Sequence, residues 1–115
     1  MESFALREDA RPYSIVVGAD GNLRCTLTGA NAIAKLSPEG AIREFPIPSS
    51  KGGTGIITAT ENGAWFTEPN ADRIAFIDHK GAITEHRLAD NCMPFGIAVD
   101  NEQAVWFTCM NSNHP

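Results

Sequence analysis

A handful of side chains in this sequence could carry chemistry, and their spacing limits what each can do. Histidine supplies acid–base or metal-ligand chemistry, and it stands at His79, His86 and His114. The three share no spacing suited to a metal, and they read as solvated surface residues. Cys25, Cys92 and Cys109 are odd in number and lack paired metal spacing. They read as reduced thiols of a cytoplasmic protein rather than as a disulfide framework. Asp20-Gly21-Asn22 resembles a metal loop in miniature, though a hairpin turn explains it fully. Glu68 ends the run Trp65-Phe66-Thr67-Glu68. Its carboxylate could contact a metal or a substrate, or it could cap loop backbone. Tyr13 offers an aromatic body with a hydroxyl tip, suited to a ligand contact or to rim packing.

What positions these residues is a repeat. Ser14, Gly55 and Gly96 open segments spaced 41 residues apart. Without gaps, Ile33 then falls on Ile74, Gly40 on Gly81, Ile42 on Ile83 and Glu44 on Glu85. Trp65-Phe66-Thr67 falls on Trp106-Phe107-Thr108, and Phe4 and Leu6 match Phe45 and Ile47. Each unit reads as four short strands. In the second unit they are 55–59, 63–68, 72–78 and 82–88, divided by turn formers without helical periodicity. The Glu61-Asn62-Gly63 and His79-Lys80-Gly81 turns suit tight hairpins in which glycine supplies positive φ.

Four antiparallel strands per repeat of about 40 residues is the pattern of a β-propeller blade. A β-helix solenoid is the runner-up, but its coils are shorter. Adjacent Trp65 and Phe66 point to opposite faces of their strand, which implies a sheet covered on both sides. The expected fold is therefore all-β. It is a partial propeller with units at approximately 11–51, 52–92 and 93–115, and residues 2–6 form the outer closing strand of a preceding blade. Propellers need roughly four to eight blades, so two blade faces are left bare and self-association through them is expected. Antiparallel pairing places Tyr13, Thr54 and Phe95 at one mouth with Leu27, Glu68 and Cys109. Tyr13, Thr54, Phe95 and Glu68 are the candidate substrate contacts. No catalytic residue or metal ligand set is visible.

Composition narrows the partners. The chain has 115 residues, 43% hydrophobic and 20% charged, as a folded protein does. A net charge of -5 with no basic stripe argues against nucleic acid. No apolar run approaches a membrane span, and MESFALRED has no apolar leader core. A soluble, cytoplasmic chain is expected.

The stretches PYSIVVGADGNL, GAWFTEPNADRIAFIDHKGAITEHRL and MPFGIAVDNEQAVWFT resemble blades of the virginiamycin B lyase family, from about Phe4 to Asn113. That resemblance implies a seven-bladed propeller that linearises streptogramin B antibiotics by elimination at the cyclic ester. It also implies a histidine base in a P-H-G-I context and a magnesium ion held by glutamates. Here the corresponding positions read Pro12-Tyr13-Ser14-Ile15, Gly53-Thr54-Gly55-Ile56 and Pro94-Phe95-Gly96-Ile97, without histidine. Tyr13 matches the family's first-blade P-Y-G-I, whose tyrosine lies at the substrate mouth. The resemblance therefore implies an N-terminal part whose catalytic late blades would lie beyond Pro115, with a streptogramin-type cyclic depsipeptide as ligand. A non-catalytic binding module, or a propeller assembled from several short chains, is the alternative. A lactone hydrolase of the gluconolactonase type would want acidic and asparagine metal ligands that are not visible. The first unit departs from the pattern, with Arg24-Cys25-Thr26-Leu27 where the second has Trp65-Phe66-Thr67-Glu68. A buried arginine there needs a partner, and the pattern suggests a degraded or re-purposed copy.

Overall fold

The computed structural model describes residues 6, 9–49 and 53–111. Strands β1 (Pro12–Val17), β2 (Leu23–Leu27), β3 (Ala32–Leu36) and β4 (Ile42–Pro46) form an antiparallel meander, blade 1. Strands β5 (Ile57–Thr60), β6 (Gly63–Glu68), β7 (Arg73–Asp78) and β8 (Ile83–Arg87) repeat it as blade 2. Strands β9 (Pro94–Val99) and β10 (Val105–Cys109) pair as a half-blade. Among the described residues the fold is all-β, a partial propeller, relieved only by a 3-10 turn at Pro69–Ala71. No helix among the described residues is long and apolar enough to cross a membrane. The expected closing strand at 2–6 lies outside the described residues apart from Leu6, which packs on blade 1.

Glycine acts in two different ways at the hairpins. Gly81 has φ +97 in the β7–β8 turn, as its turn requires, and the Phe45 ring of blade 1 lies where a Cβ would stand. Gly63 was expected to supply positive φ as well, but it is absent from the positive-φ positions. It is needed instead for close approach, because a Cβ there would collide with the Ile77 carbonyl.

The alternation of side chains along each strand divides the apolar residues between two interfaces. Ile33 and Ile47 of the first unit meet Ile57, Ala64, Phe66, Ala75 and Ile77 of blade 2 in one buried cluster. A second cluster, with Cys25, Leu27, Ala34 and Leu36, lines the opposite face of blade 1. Phe66 is fully buried between blades. Trp65, its neighbour, is only half-buried on the far face, against Phe76 at 5.2 Å and His86 at 5.4 Å. The half-blade packs chiefly on β5 and β6, away from the centre of the outer strands where Phe76 and His86 sit. That is why both faces of this strand are apolar but only one is sealed. Phe66→Ala should cost about 3–5 kcal/mol through the cavity it leaves, read as a lowered urea midpoint at unchanged slope.

Each blade is also stitched to the next by a threonine. Thr26 Oγ1 accepts from Ser14 N (3.0 Å) and donates to the Gly55 carbonyl (2.9 Å). Thr67 Oγ1 likewise accepts from Ile56 N (3.1 Å) and donates to the Phe95 carbonyl (2.9 Å). Gly55 lacks a Cβ because the Thr67 hydroxyl occupies that space.

Candidate functional site

The mouth is built where the innermost strands of successive units begin. Tyr13 in β1 and Phe95 in β9 come together across the chain, with ring centroids 6.0 Å apart in an edge contact. Tyr13 is 58% exposed and Phe95 half-buried, so the pair forms an aromatic lip that a ligand could reach. Thr54 lies behind it, buried, and its carbonyl accepts from Thr28 Oγ1 at 3.1 Å. Glu68 does not join them at the surface. It is fully buried between the blades.

What faces Glu68 is another carboxyl. Strand register places Glu68 opposite Arg73, and Ala75 opposite Glu85, so the three side chains share one face of blade 2. Arg73 Nη1 contacts Glu85 Oε1 at 3.1 Å. Apart from the other carboxyl, neither oxygen of Glu68 nor Glu85 Oε2 meets a donor among the described residues. Burial first, and then the Glu85 carboxylate, push the Glu68 carboxyl up to about 9. Burial also raises Glu85, but hydrogen bonds from Glu68 and Ser49 and the charge of Arg73 outweigh it and hold Glu85 below its ordinary value. The arrangement is a carboxyl–carboxylate pair holding one proton, with Glu68 as donor. Repeat spacing could have signalled it, since Glu68 and Glu85 end or centre two strands that pair through β7.

This is not the donor set of a magnesium site. Magnesium takes octahedral oxygen ligands and keeps several waters. Glu68 is sealed from solvent, and Glu85 already holds an arginine. No group of three or more His, Cys, Asp or Glu among the described residues is arranged to hold a metal.

The reading of all three cysteines as reduced thiols is corrected. Cys92 and Cys109 form a disulfide, with Cα atoms 4.8 Å apart. The antiparallel register of β9 and β10 puts Cys109 opposite Pro94, two residues beyond Cys92. Considered one at a time the cysteines hid this; considered as the two ends of one hairpin they predict it. The thiol argument for a reducing compartment goes with it. Cys25 remains free and buried, and burial raises its thiol pKa.

A second polar group joins the blades at the end away from the mouth. Arg24, which replaces the tryptophan of the repeat, is 1% exposed. Its Nη1 and Nη2 each lie 2.9 Å from an Asp20 oxygen, a bidentate pair. Asp20 also accepts from Asn22 N and Nδ2, so the Asp20-Gly21-Asn22 turn is committed to this arginine. His79 was expected to be solvated, but it is half-buried. Its Nδ1 lies 3.3 Å from Asp20 and its Nε2 is 2.9 Å from the Glu61 carbonyl. The buried charge is therefore matched, and the histidine bridges blades 1 and 2. His86 is exposed beside Trp65, and His114 lies outside the described residues.

Comparison with known proteins puts this geometry in a family. Residues 1–114 match the sequence profile of the virginiamycin B lyase family. The virginiamycin B lyase of Nocardia farcinica is 38% identical over 61 residues, which are 52% of this chain and 22% of that protein. A catalytically inactive virginiamycin B lyase from Staphylococcus aureus, solved with quinupristin, superposes with a TM-score of 0.89 at 33% identity. That match covers 98% of this chain and 39% of the lyase. Hydrazine synthase from Kuenenia stuttgartiensis, at 13% identity and a TM-score of 0.73, shares the fold alone. This chain thus spans about two fifths of the solved lyases it matches.

Proposed function

Because this chain belongs to the virginiamycin B lyase family, we propose that its mouth contacts a streptogramin-type cyclic depsipeptide while the ring-opening chemistry belongs to residues outside this sequence. The observation that carries the reading is the aromatic lip, Tyr13 against Phe95. It stands at the start of the innermost strands, and the solved relative with quinupristin superposes over nearly all of this chain. An exposed tyrosine edge paired with a phenylalanine suits a large apolar macrocycle that still carries polar groups. Catalysis would need a general base within reach of the acidic proton. At the mouth the candidates are Glu68, which is buried and protonated, and Cys109, which is in a disulfide. Neither is placed to take that part. The chain is proposed to bind and position, not to eliminate.

Calorimetric titration with quinupristin tests this. Binding is expected, and Tyr13→Ala should weaken it by about tenfold, with Phe95→Ala similar. Affinity untouched by both substitutions would remove the lip from the site. Undetectable binding by the intact chain would remove the reading altogether.

A further inference from the structure

Between β8 and β9 the chain runs through residues 88–93 before it reaches Pro94 and Phe95 of the lip. Asn91, at φ +62, and Met93, at φ +50, lie in the left-handed region that residues with side chains rarely adopt. Such a backbone persists only where its surroundings fix it. The fixing group is a carboxylate from the turn between β6 and β7. Asp72 Oδ2 accepts from Asn91 N and Oδ1 from Met93 N, both at 2.9 Å. These are the two left-handed residues themselves, and Cys92 between them is tied to Cys109. The Asp72 carbonyl also accepts from Leu88 N at 2.9 Å. Asp72 thus grips both ends of the loop, and its side-chain bonds are charge-assisted.

The repeat shows how this position came to grip a loop, and how blade 2 differs. Asn31 stands 41 residues before Asp72. Its backbone is left-handed too, at φ +51 against +52. Its carbonyl accepts from Ile47 N at 3.0 Å, and its Nδ2 donates to the Ser49 carbonyl at 2.7 Å. Asn31 is therefore a side-chain donor to the loop that leads to Thr54. Asp72 is a double acceptor from the loop that leads to Phe95. A carboxylate can only accept, so it selects the loop conformation that turns two N–H groups toward it. That conformation delivers Phe95 into β9 edge-on to Tyr13. Thr67 Oγ1 holds the Phe95 carbonyl from the strand side at 2.9 Å, and Asp72 holds the approach from the loop side.

We propose that Asp72 is a positioning residue for the lip. Its carboxylate sets the strained loop before β9 and so keeps Phe95 against Tyr13, without itself meeting the ligand. The role in ligand binding rests on the reading of the lip as the contact site; the placing of Phe95 does not.

Two variants test this. Asp72→Gly removes the carboxylate and keeps the left-handed backbone, which alanine would strain. Asp72→Asn keeps one carbonyl oxygen for two donors, in a residue that Asn31 shows to fit the same backbone, and it serves alone if the glycine variant does not fold. Tyr13 is the one tyrosine of the sequence, so its ring resonances in tyrosine-labelled protein report the contact with Phe95 in the absence of any ligand. Phe95→Ala marks where they fall when the contact is lost. Asp72→Gly should move them most of the way to that mark, and Asp72→Asn part of the way. Resonances that stay at the parent positions in folded variants would overturn the proposal. In titration with quinupristin, Asp72→Gly should weaken binding about tenfold. It should add less than about twofold when Phe95 is already alanine, because residues acting through one another are not additive. An equal loss on both backgrounds would overturn the proposal, since Asp72 would then act without Phe95. An intact chain that binds no quinupristin would remove the ligand reading alone, and the Tyr13 resonances would still decide whether Asp72 places Phe95.

Discussion

Asp20→Asn is expected to destabilise this chain by about 3–5 kcal/mol, because it leaves the buried Arg24 guanidinium without its counter-charge. Arg24 is 1% exposed and both of its terminal nitrogens are spent on Asp20. The same pair sets an acid limit on stability. The hydrogen bonds from Arg24 hold the Asp20 carboxyl far below the usual carboxylate range, against the opposing effect of burial. A depressed carboxyl stabilises the fold above its unfolded pKa of about 3.9, and that contribution is lost as pH falls toward its folded value. Asp20→Asn should therefore be less stable than the parent at neutral pH and should converge on it in acid. Urea denaturation at pH 7, 3 and 2 follows the loss, with the gap between the two proteins narrowed but not closed at pH 3, because the folded carboxyl titrates lower still. Replacing both partners, Arg24→Met with Asp20→Asn, should recover most of the loss, since the cost is that of an orphaned charge. A double variant no better than Asp20→Asn alone would mean that packing of the arginine stem, not its charge, holds the junction.

Glu68→Gln is expected to act in the opposite direction and to stabilise the protein at alkaline pH. Glu68 is fully buried, and its carboxyl is pushed up to about 9 by burial and by Glu85. A carboxyl raised on folding gives its full contribution below the unfolded pKa of about 4.3. That contribution is lost as pH rises through the window up to the folded value, since the unfolded chain releases the proton and the folded chain does not. Between those limits the parent should grow steadily less stable. Glutamine keeps a donor for Glu85 without a titrating proton. The variant should therefore gain about 1–3 kcal/mol over the parent near pH 8. Glu85 pulls the other way, since its lowered pKa favours folding above the acid range and is lost in acid. It contributes little slope above neutrality. Unfolding midpoints at pH 5 and pH 8.5 are the check. Parallel behaviour of parent and variant would show that no proton is held between the two glutamates.

The blades themselves were legible in the sequence because the repeat is gapless and each strand has a period of two. A match such as Phe66 with Phe107 fixes both the strand and the face. The meeting of Tyr13 and Phe95 was legible for the same reason, since antiparallel pairing alone brings the two residues to one end. What the sequence hid were pairings that depend on which units lie side by side. Arg24 stood out as an intruder in a tryptophan's place, but its partner Asp20 looked like an ordinary turn residue. His79 looked solvated because its carboxylate partner comes from blade 1, 59 residues away at Asp20. Glu68 looked like a mouth carboxylate because strand order gives the end of a blade and says nothing about depth. The disulfide was hidden by counting: three cysteines look unpaired until Cys92 and Cys109 are placed on one hairpin.

Those placements leave a protein whose described residues build an aromatic lip, while their ionisable groups hold blades together. The central claim is that this chain binds at the mouth but does not eliminate. The direct measurement is incubation of the purified chain with quinupristin and magnesium, followed by chromatography coupled to mass spectrometry. Elimination gives a linear product of unchanged mass, and hydrolysis one heavier by a water. The account predicts that the cyclic antibiotic is recovered intact at the rate seen without protein. A linear product of unchanged mass, formed at enzymatic rates, would contradict it and would place a base and its electrophilic partner within these 115 residues.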